Sequence, residues 1–185
     1  MEIFPEIHKA TGAKLTIAYE LERWLKAAEN ESHSGHRRAQ KIKMQLAELQ
    51  ATNLPIEMTG HLPHRKFVEL LGDTKVLAYP CDPISYTESF GLVVYEAMAS
   101  GCSVILTDAD SFPEQYGKLL NLIRLADPDW LATFTRRTVK ALRSGSPQVK
   151  LIGPRSWEDH LKEVIEKIAE VRVEEKKERQ AHSAP

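Results

Sequence analysis

The chain has 185 residues, 42% of them hydrophobic and 28% charged, a composition that suits one packed globular domain. Its 25 Lys and Arg against 26 Asp and Glu leave a net charge of −1, which excludes a global attraction to nucleic acid or to an anionic membrane surface. No apolar run approaches the ~18 residues that span a bilayer, the opening MEIFPEIHKATGAK lacks the apolar stretch of a secretory signal, and two cysteines in apolar surroundings, Cys81 and Cys102, fit a reduced, cytoplasmic protein.

In chain order, Met1 to Lys9 read as the end of a helix, and a strand is predicted over Leu15 to Tyr19. Helical character runs from Leu21 to Gln50, with NESHSGHRR (Asn30 to Arg38) as a loop between two shorter helices. A strand over Ile56 to Thr59, a helix over Arg65 to Leu71 and a strand over Val76 to Tyr79 follow. Then come a helix over Phe90 to Ser100, strands over Val104 to Thr107 and Leu120 to Leu125, and a helix over Pro128 to Arg143. Asp127 before Pro128 reads as a helix N-cap and first position. The last helix, Trp157 to about Arg179, carries an apolar stripe of Trp157, Leu161, Val164, Ile165 and Ile168. Short, nearly continuous apolar strands alternating with helices predict an α/β fold: a Rossmann-like open parallel sheet with helices on both faces. Residues 1–170 are expected to form that domain, and 171–185 a charged, frayed tail.

The segment richest in chemistry is YPCDPISYTESFGLVVYEAMASGCSVILTD, Tyr79 to Asp108. A buried strand ends at Pro80, a polar loop leads to Glu88-Ser89-Phe90-Gly91, a helix follows, and Gly101 stops it before the next strand. Ligands of open α/β sheets bind beyond the carboxyl ends of the strands, where this helix would begin. Its unpaired N–H groups and positive dipole end favour a phosphate, and Gly91 would let a ligand approach the backbone. Glu96 is the sole charge between Gly91 and Gly101. A carboxylate among apolar neighbours needs a partner, and the vicinal hydroxyls of a ribose would serve. Glu88 and Glu96 lie eight positions apart, roughly 12 Å along a helix, about the span from a sugar across a diphosphate to a ribose.

Glu88 and Glu96, with seven residues between them inside ESFGLVVYEAMASG, resemble the E-x7-E motif of retaining GT-B glycosyltransferases, closest to family 4, or glycosyltransferase group 1. Other landmarks resemble that family in order. They are Gly60-His61-Leu62-Pro63-His64 after a strand, Asp73 to Pro80, Ser103 to Glu114, and Arg155-Ser156-Trp157-Glu158 at the start of the closing helix. The resemblance implies retaining, hexosyltransferase-type transfer from a nucleotide-diphospho-sugar with no cofactor and no bound metal. It implies Glu88 beside the reacting carbon of the donor sugar, main-chain groups of Ser89, Phe90, Gly91 and Leu92 around sugar and diphosphate, and Glu96 on the ribose. Gly60 and His61 are weaker donor contacts by the same analogy. Two departures stand out. Asp110-Ser111 replaces the family's Gly-Gly, and the family's first strand with its basic pair has no counterpart, nor does an acceptor domain. The acceptor is therefore expected to meet the chain through a missing N-terminal domain or a partner chain. The alternative is a non-catalytic nucleotide-sugar-binding module or subunit.

Plainer readings remain for several residues. Glu88 could simply belong to a helix N-cap region, and Glu96 could pair with an Arg or Lys. Asp108-Ala109-Asp110 mimics a D-x-D metal motif but follows a strand at the place of the family's donor-side loop. His33 and His36 read as a solvated loop, His61 and His64 as an exposed strand-to-helix turn, and both cysteines as small core residues. The basic run around His36-Arg37-Arg38 is too local to argue for nucleic acid.

Overall fold

The structure is a computed structural model that describes residues 3–27, 29–31, 35–81, 91–144, 162, 165 and 166. The chain divides into two units, Met1–Val149 and Lys150–Pro185. Of the second, the described Lys162, Ile165 and Glu166 are helical and Ile165 is exposed; the rest of the predicted closing helix and the tail lie outside the described residues.

The first unit alternates helices and strands: α1 (Phe4–Thr11), β1 (Leu15–Ile17), α2 (Leu21–Ala27), α3 (His36–Gln50), β2 (Ile56–Met58), α4 (His64–Gly72), β3 (Val76–Tyr79), α5 (Leu92–Ala99), β4 (Ser103–Leu106), α6 (Phe112–Tyr116) and α7 (Trp130–Ser144). β1 pairs in parallel with β2, Leu15 opposite Ile56, and β3 pairs in parallel with β4, Val76 opposite Ser103. A further parallel bridge joins Thr107 to Ile123. The pairs β2–β1 and β3–β4 and this bridge reproduce neighbours 3-2, 4-5 and 5-6 of the Rossmann order 3-2-1-4-5-6. Among the described residues no strand stands between β1 and β3, so the Rossmann-like sheet is in two pieces where its first strand would lie.

Each piece has its own core. Leu21 and Leu25 of α2 and Ala39 and Leu46 of α3 pack with Ile17, Ile42 and Met58 over the β1–β2 pair. Phe67 and Leu71 of α4 and Ala97 of α5 pack with Leu77, Cys102 and Val104 on one face of the β3–β4 pair. Alternation along the strands turns Val76, Ala78, Ser103 and Ile105 to the opposite face. α7 also packs against β3 and β4, and α1 packs against α7, where Arg143 donates to the Ala10 carbonyl at 2.8 Å.

Most predicted elements are found within two or three residues of their expected bounds, and the long helical segment is indeed broken into α2 and α3. Two local readings are corrected. The strand over Leu120 to Leu125 is a single bridge at Ile123. The N–H groups of Leu119 and Leu120 bond the Tyr116 carbonyl, and the Asp108 carboxylate takes the Leu125 N–H at 2.7 Å, so no ladder extends either way. Asp127 caps a turn instead of the helix. Its Oδ1 accepts from Asp129 N at 3.1 Å, the Trp130 N–H bonds the Asp127 carbonyl, and α7 begins at Trp130. The short α6 is an element beyond those the sequence predicts.

Candidate functional site

The site is built around the start of α5. Gly91 is its N-cap, with φ 62 and ψ 49. That left-handed conformation strains any residue bearing a Cβ. A second constraint coincides with it: a Cβ here would lie 2.7 Å from Cε1 of Phe112. The Gly91 carbonyl accepts from the Val94 N–H at 2.8 Å and from the Tyr116 hydroxyl at 3.0 Å. Phe112 and Tyr116 are fully buried. Their rings meet edge to face with centroids 5.4 Å apart; the ring centroid of Tyr116 also lies 4.9 Å from that of Tyr95, and that of Phe112 6.1 Å from that of Tyr79. This aromatic bed ties the last residue of β3, the first turns of α5 and the whole of α6 together. It fixes the helix start at the carboxyl edge of the β3–β4 pair, where open α/β sheets bind ligands.

The local chemistry follows from that geometry. A glycine has no side chain with which to cap a helix, and α5 has no side-chain cap. The Val94 N–H is taken by Gly91, while those of Leu92 and Val93 have no carbonyl within the helix to bond. Oriented N–H groups at the positive end of the helix dipole favour an anion. Leu92 of this turn is largely exposed, whereas Gly91 and Val94 are buried. The far end of α5 is closed by main-chain bonds. Gly101 N–H reaches the Met98 carbonyl and Cys102 N–H the Ala97 carbonyl, with Gly101 at φ 83, a Schellman stop at the predicted residue.

Glu96 lies one turn inside the helix, 23% exposed, with Oε1 3.5 Å from Nδ1 of His64 at the first position of α4. The partner that sequence reasoning sought among Arg and Lys is thus a histidine on the neighbouring helix. Of the two loop histidines, His64 meets Glu96; His61 is exposed in the turn after β2, beside Gly60 at φ 66. Glu88, Ser89 and Phe90 lie outside the described residues.

The loop after β4 is organised by main-chain contacts. Asp108 spends its carboxylate on Leu125, and Ala109 is buried. Asp110 adopts φ 48, the conformation a glycine would supply at this family position, and aspartate is among the few other residues that tolerate it. Across the strand ends, Thr107 is buried and its Oγ1 accepts from Cys81 N at 3.1 Å. Cys102 is buried, its Sγ 3.2 and 3.1 Å from the Leu71 and Thr74 carbonyls, and burial pushes its thiol up from the ordinary range. Both cysteines behave as core residues. Sequence reasoning missed the aromatic bed and His64. The signal for the first was the pair Phe112 and Tyr116 at helical spacing beside the Pro113-Glu114 landmark.

A Rossmann-like α/β unit with a helix starting at its sheet edge is consistent with one half of a GT-B fold. The sequence model of the family described as Glycosyl transferases group 1 matches residues 34–130, just over half the chain, and the chain belongs to that family. The match spans α3 through the start of α7 and so contains the whole site. No curated protein and no solved structure matches the chain. Membership makes glycosyl transfer the reaction, with a sugar donor and an acceptor as substrates. Among the described residues no helix is long and apolar enough to cross a membrane.

Proposed function

We propose that this chain is the donor half of a retaining glycosyltransferase and that a nucleotide-diphospho-sugar binds at the first turn of α5. The observation that carries this reading is the left-handed glycine start of α5 without a side-chain cap, where the Leu92 and Val93 N–H groups, with no carbonyl of the helix to bond, come one turn ahead of Glu96. The diphosphate would lie on those N–H groups and on main-chain groups of Ser89, Phe90 and Gly91. Glu96 would accept the ribose hydroxyls, and Glu88 would stand beside the sugar carbon. Gly60 and His61 border the same edge as weaker contacts. Charge grows on the leaving diphosphate in the transition state, and helix dipoles fixed beforehand by the aromatic bed stabilise it without reorganising. No metal is needed in this scheme. The hexosyl class of the sugar is part of the same reading, and the acceptor is held by a further domain or a partner chain. Two buried free cysteines accord with a cytoplasmic setting.

Calorimetric titration of the full chain with UDP-glucose and GDP-mannose in the presence of EDTA tests the site. Binding of at least one is expected. Glu96→Gln is expected to weaken it by about 1.5–3 kcal/mol, the contribution of hydrogen bonds to a charged acceptor, with little change in melting temperature. No binding by a folded sample, or unchanged affinity alongside a large drop in melting temperature, would refute the assignment.

A further inference from the structure

We propose that His64 is the positioning cation of the donor site and takes up a proton when the nucleotide sugar binds. This rests on the donor-site reading above and goes beyond it by naming a residue and a pH response that the E-x7-E motif does not contain.

The case is one of charge placement. Glu96 is the sole charged residue of α5, and among the described residues the side chain its carboxylate meets is His64, Oε1 to Nδ1 at 3.5 Å. The other charges of α4 are engaged elsewhere. Arg65 and Lys66 both meet Glu69, at 3.2 and 2.8 Å. β3 and β4, the strands beneath these helices, carry no charged residue, and their Tyr79 turns its ring to Phe112. Tyr95 of α5 turns its ring to Tyr116. In the turn before α4, His61 is exposed three positions ahead of His64.

A diphosphate arriving at the start of α5 therefore adds negative charge to a neighbourhood that already holds the Glu96 carboxylate. Histidine is the side chain that ordinarily changes charge between pH 5 and 8, so it can answer with a proton at little cost. The imidazolium then offsets both anions. It also holds Oε1 of Glu96, leaving Oε2 for the ribose hydroxyls. The sign follows from linkage: a step that takes up a proton is favoured as pH falls, by at most tenfold per pH unit for one proton. His64 is 76% exposed, so solvent and salt weaken the effect well below that limit.

The experiment titrates UDP-glucose and GDP-mannose into the full chain at pH 6 and pH 8, in two buffers of different ionisation enthalpy. The diphosphate of a nucleotide sugar is esterified at both ends and does not itself titrate in this range. Wild type is expected to bind about three- to tenfold more tightly at pH 6, with uptake of a fraction of a proton. His64→Gln, at an exposed position, is expected to remain folded by circular dichroism and to bind with no pH dependence and no buffer-dependent heat. His36→Gln, at the start of α3 and outside the donor site, is expected to keep both. Binding that is independent of pH in wild type, or pH dependence that survives in H64Q or vanishes in H36Q, overturns the role of His64 while leaving the donor site intact. Failure of both nucleotide sugars to bind at either pH removes the donor site and this inference together.

Discussion

Replacing Gly91 with alanine probes the geometry on which the site depends. At φ 62 a residue with a Cβ is strained by about 1–2 kcal/mol. The new methyl would also sit 2.7 Å from Cε1 of Phe112. That ring is fully buried and packs against Tyr79 and Tyr116. Overpacking of this kind adds about 1–3 kcal/mol, for a total of about 2–5 kcal/mol. Gly101→Ala is the internal control. Its φ is 83 but a Cβ there meets nothing within 4 Å, so only the strain, about 1–2 kcal/mol, applies. Thermal unfolding followed by circular dichroism reads both. At about 2–4 °C per kcal/mol for a chain of this size, Gly91→Ala should lower the midpoint by about 4–20 °C and Gly101→Ala by about 2–8 °C. Adding Phe112→Leu to Gly91→Ala should recover part of the loss relative to the sum of the single variants, since the two sites touch. Equal losses in the two glycine variants, with strict additivity in the double variant, would refute the steric part of the reasoning.

Tyr116→Phe removes the hydroxyl that donates to the Gly91 carbonyl and keeps the ring in place. A loss of about 0.5–1.5 kcal/mol in urea denaturation is expected, and no loss would mean the bond adds nothing to the anchoring of α5. Burial raises the Cys102 thiol above its ordinary value of 9.0, so the folded protein keeps it neutral while the unfolded chain ionises first. Its contribution to stability is therefore full below that value and is lost as pH climbs from there through the folded value. The stability gap between wild type and Cys102→Ala should narrow from pH 8 to pH 10; parallel curves would contradict the burial argument.

The α/β class was legible because β3 and β4 are short apolar runs and α5 ends at a glycine, signals that live within a few residues. The same locality explains the errors. Leu120 to Leu125 has the composition of a strand, but the Tyr116 carbonyl and the Asp108 carboxylate claim its N–H groups, and neither is visible in the segment itself. The five residues of α6 span little more than one turn and offer no periodicity to read. Glu96 was legible as a carboxylate in need of a partner. That the partner is His64 depends on how α4 packs against α5, and the run Pro63-His64-Arg65 carries no trace of that contact.

The aromatic bed also gives the spacing of the family's landmarks a physical meaning. In the sequence, the helix start at Gly91 and the segment ending at Glu114 are separate landmarks of one family. In the fold they are two sides of one contact. Phe112 fills the space a Cβ at Gly91 would need, and Tyr116 holds the Gly91 carbonyl. Glycine reaches this left-handed cap without steric strain but gives up its conformational freedom there, and α6 supplies both the packing and the hydrogen bond that hold it. Asp110 fits the same logic: its φ of 48 turns the chain from β4 into α6, which delivers Phe112 to Gly91. A substitution in this loop that favours an extended backbone, such as Asp110→Val, should therefore loosen the start of α5 through Phe112, although it lies on a different segment.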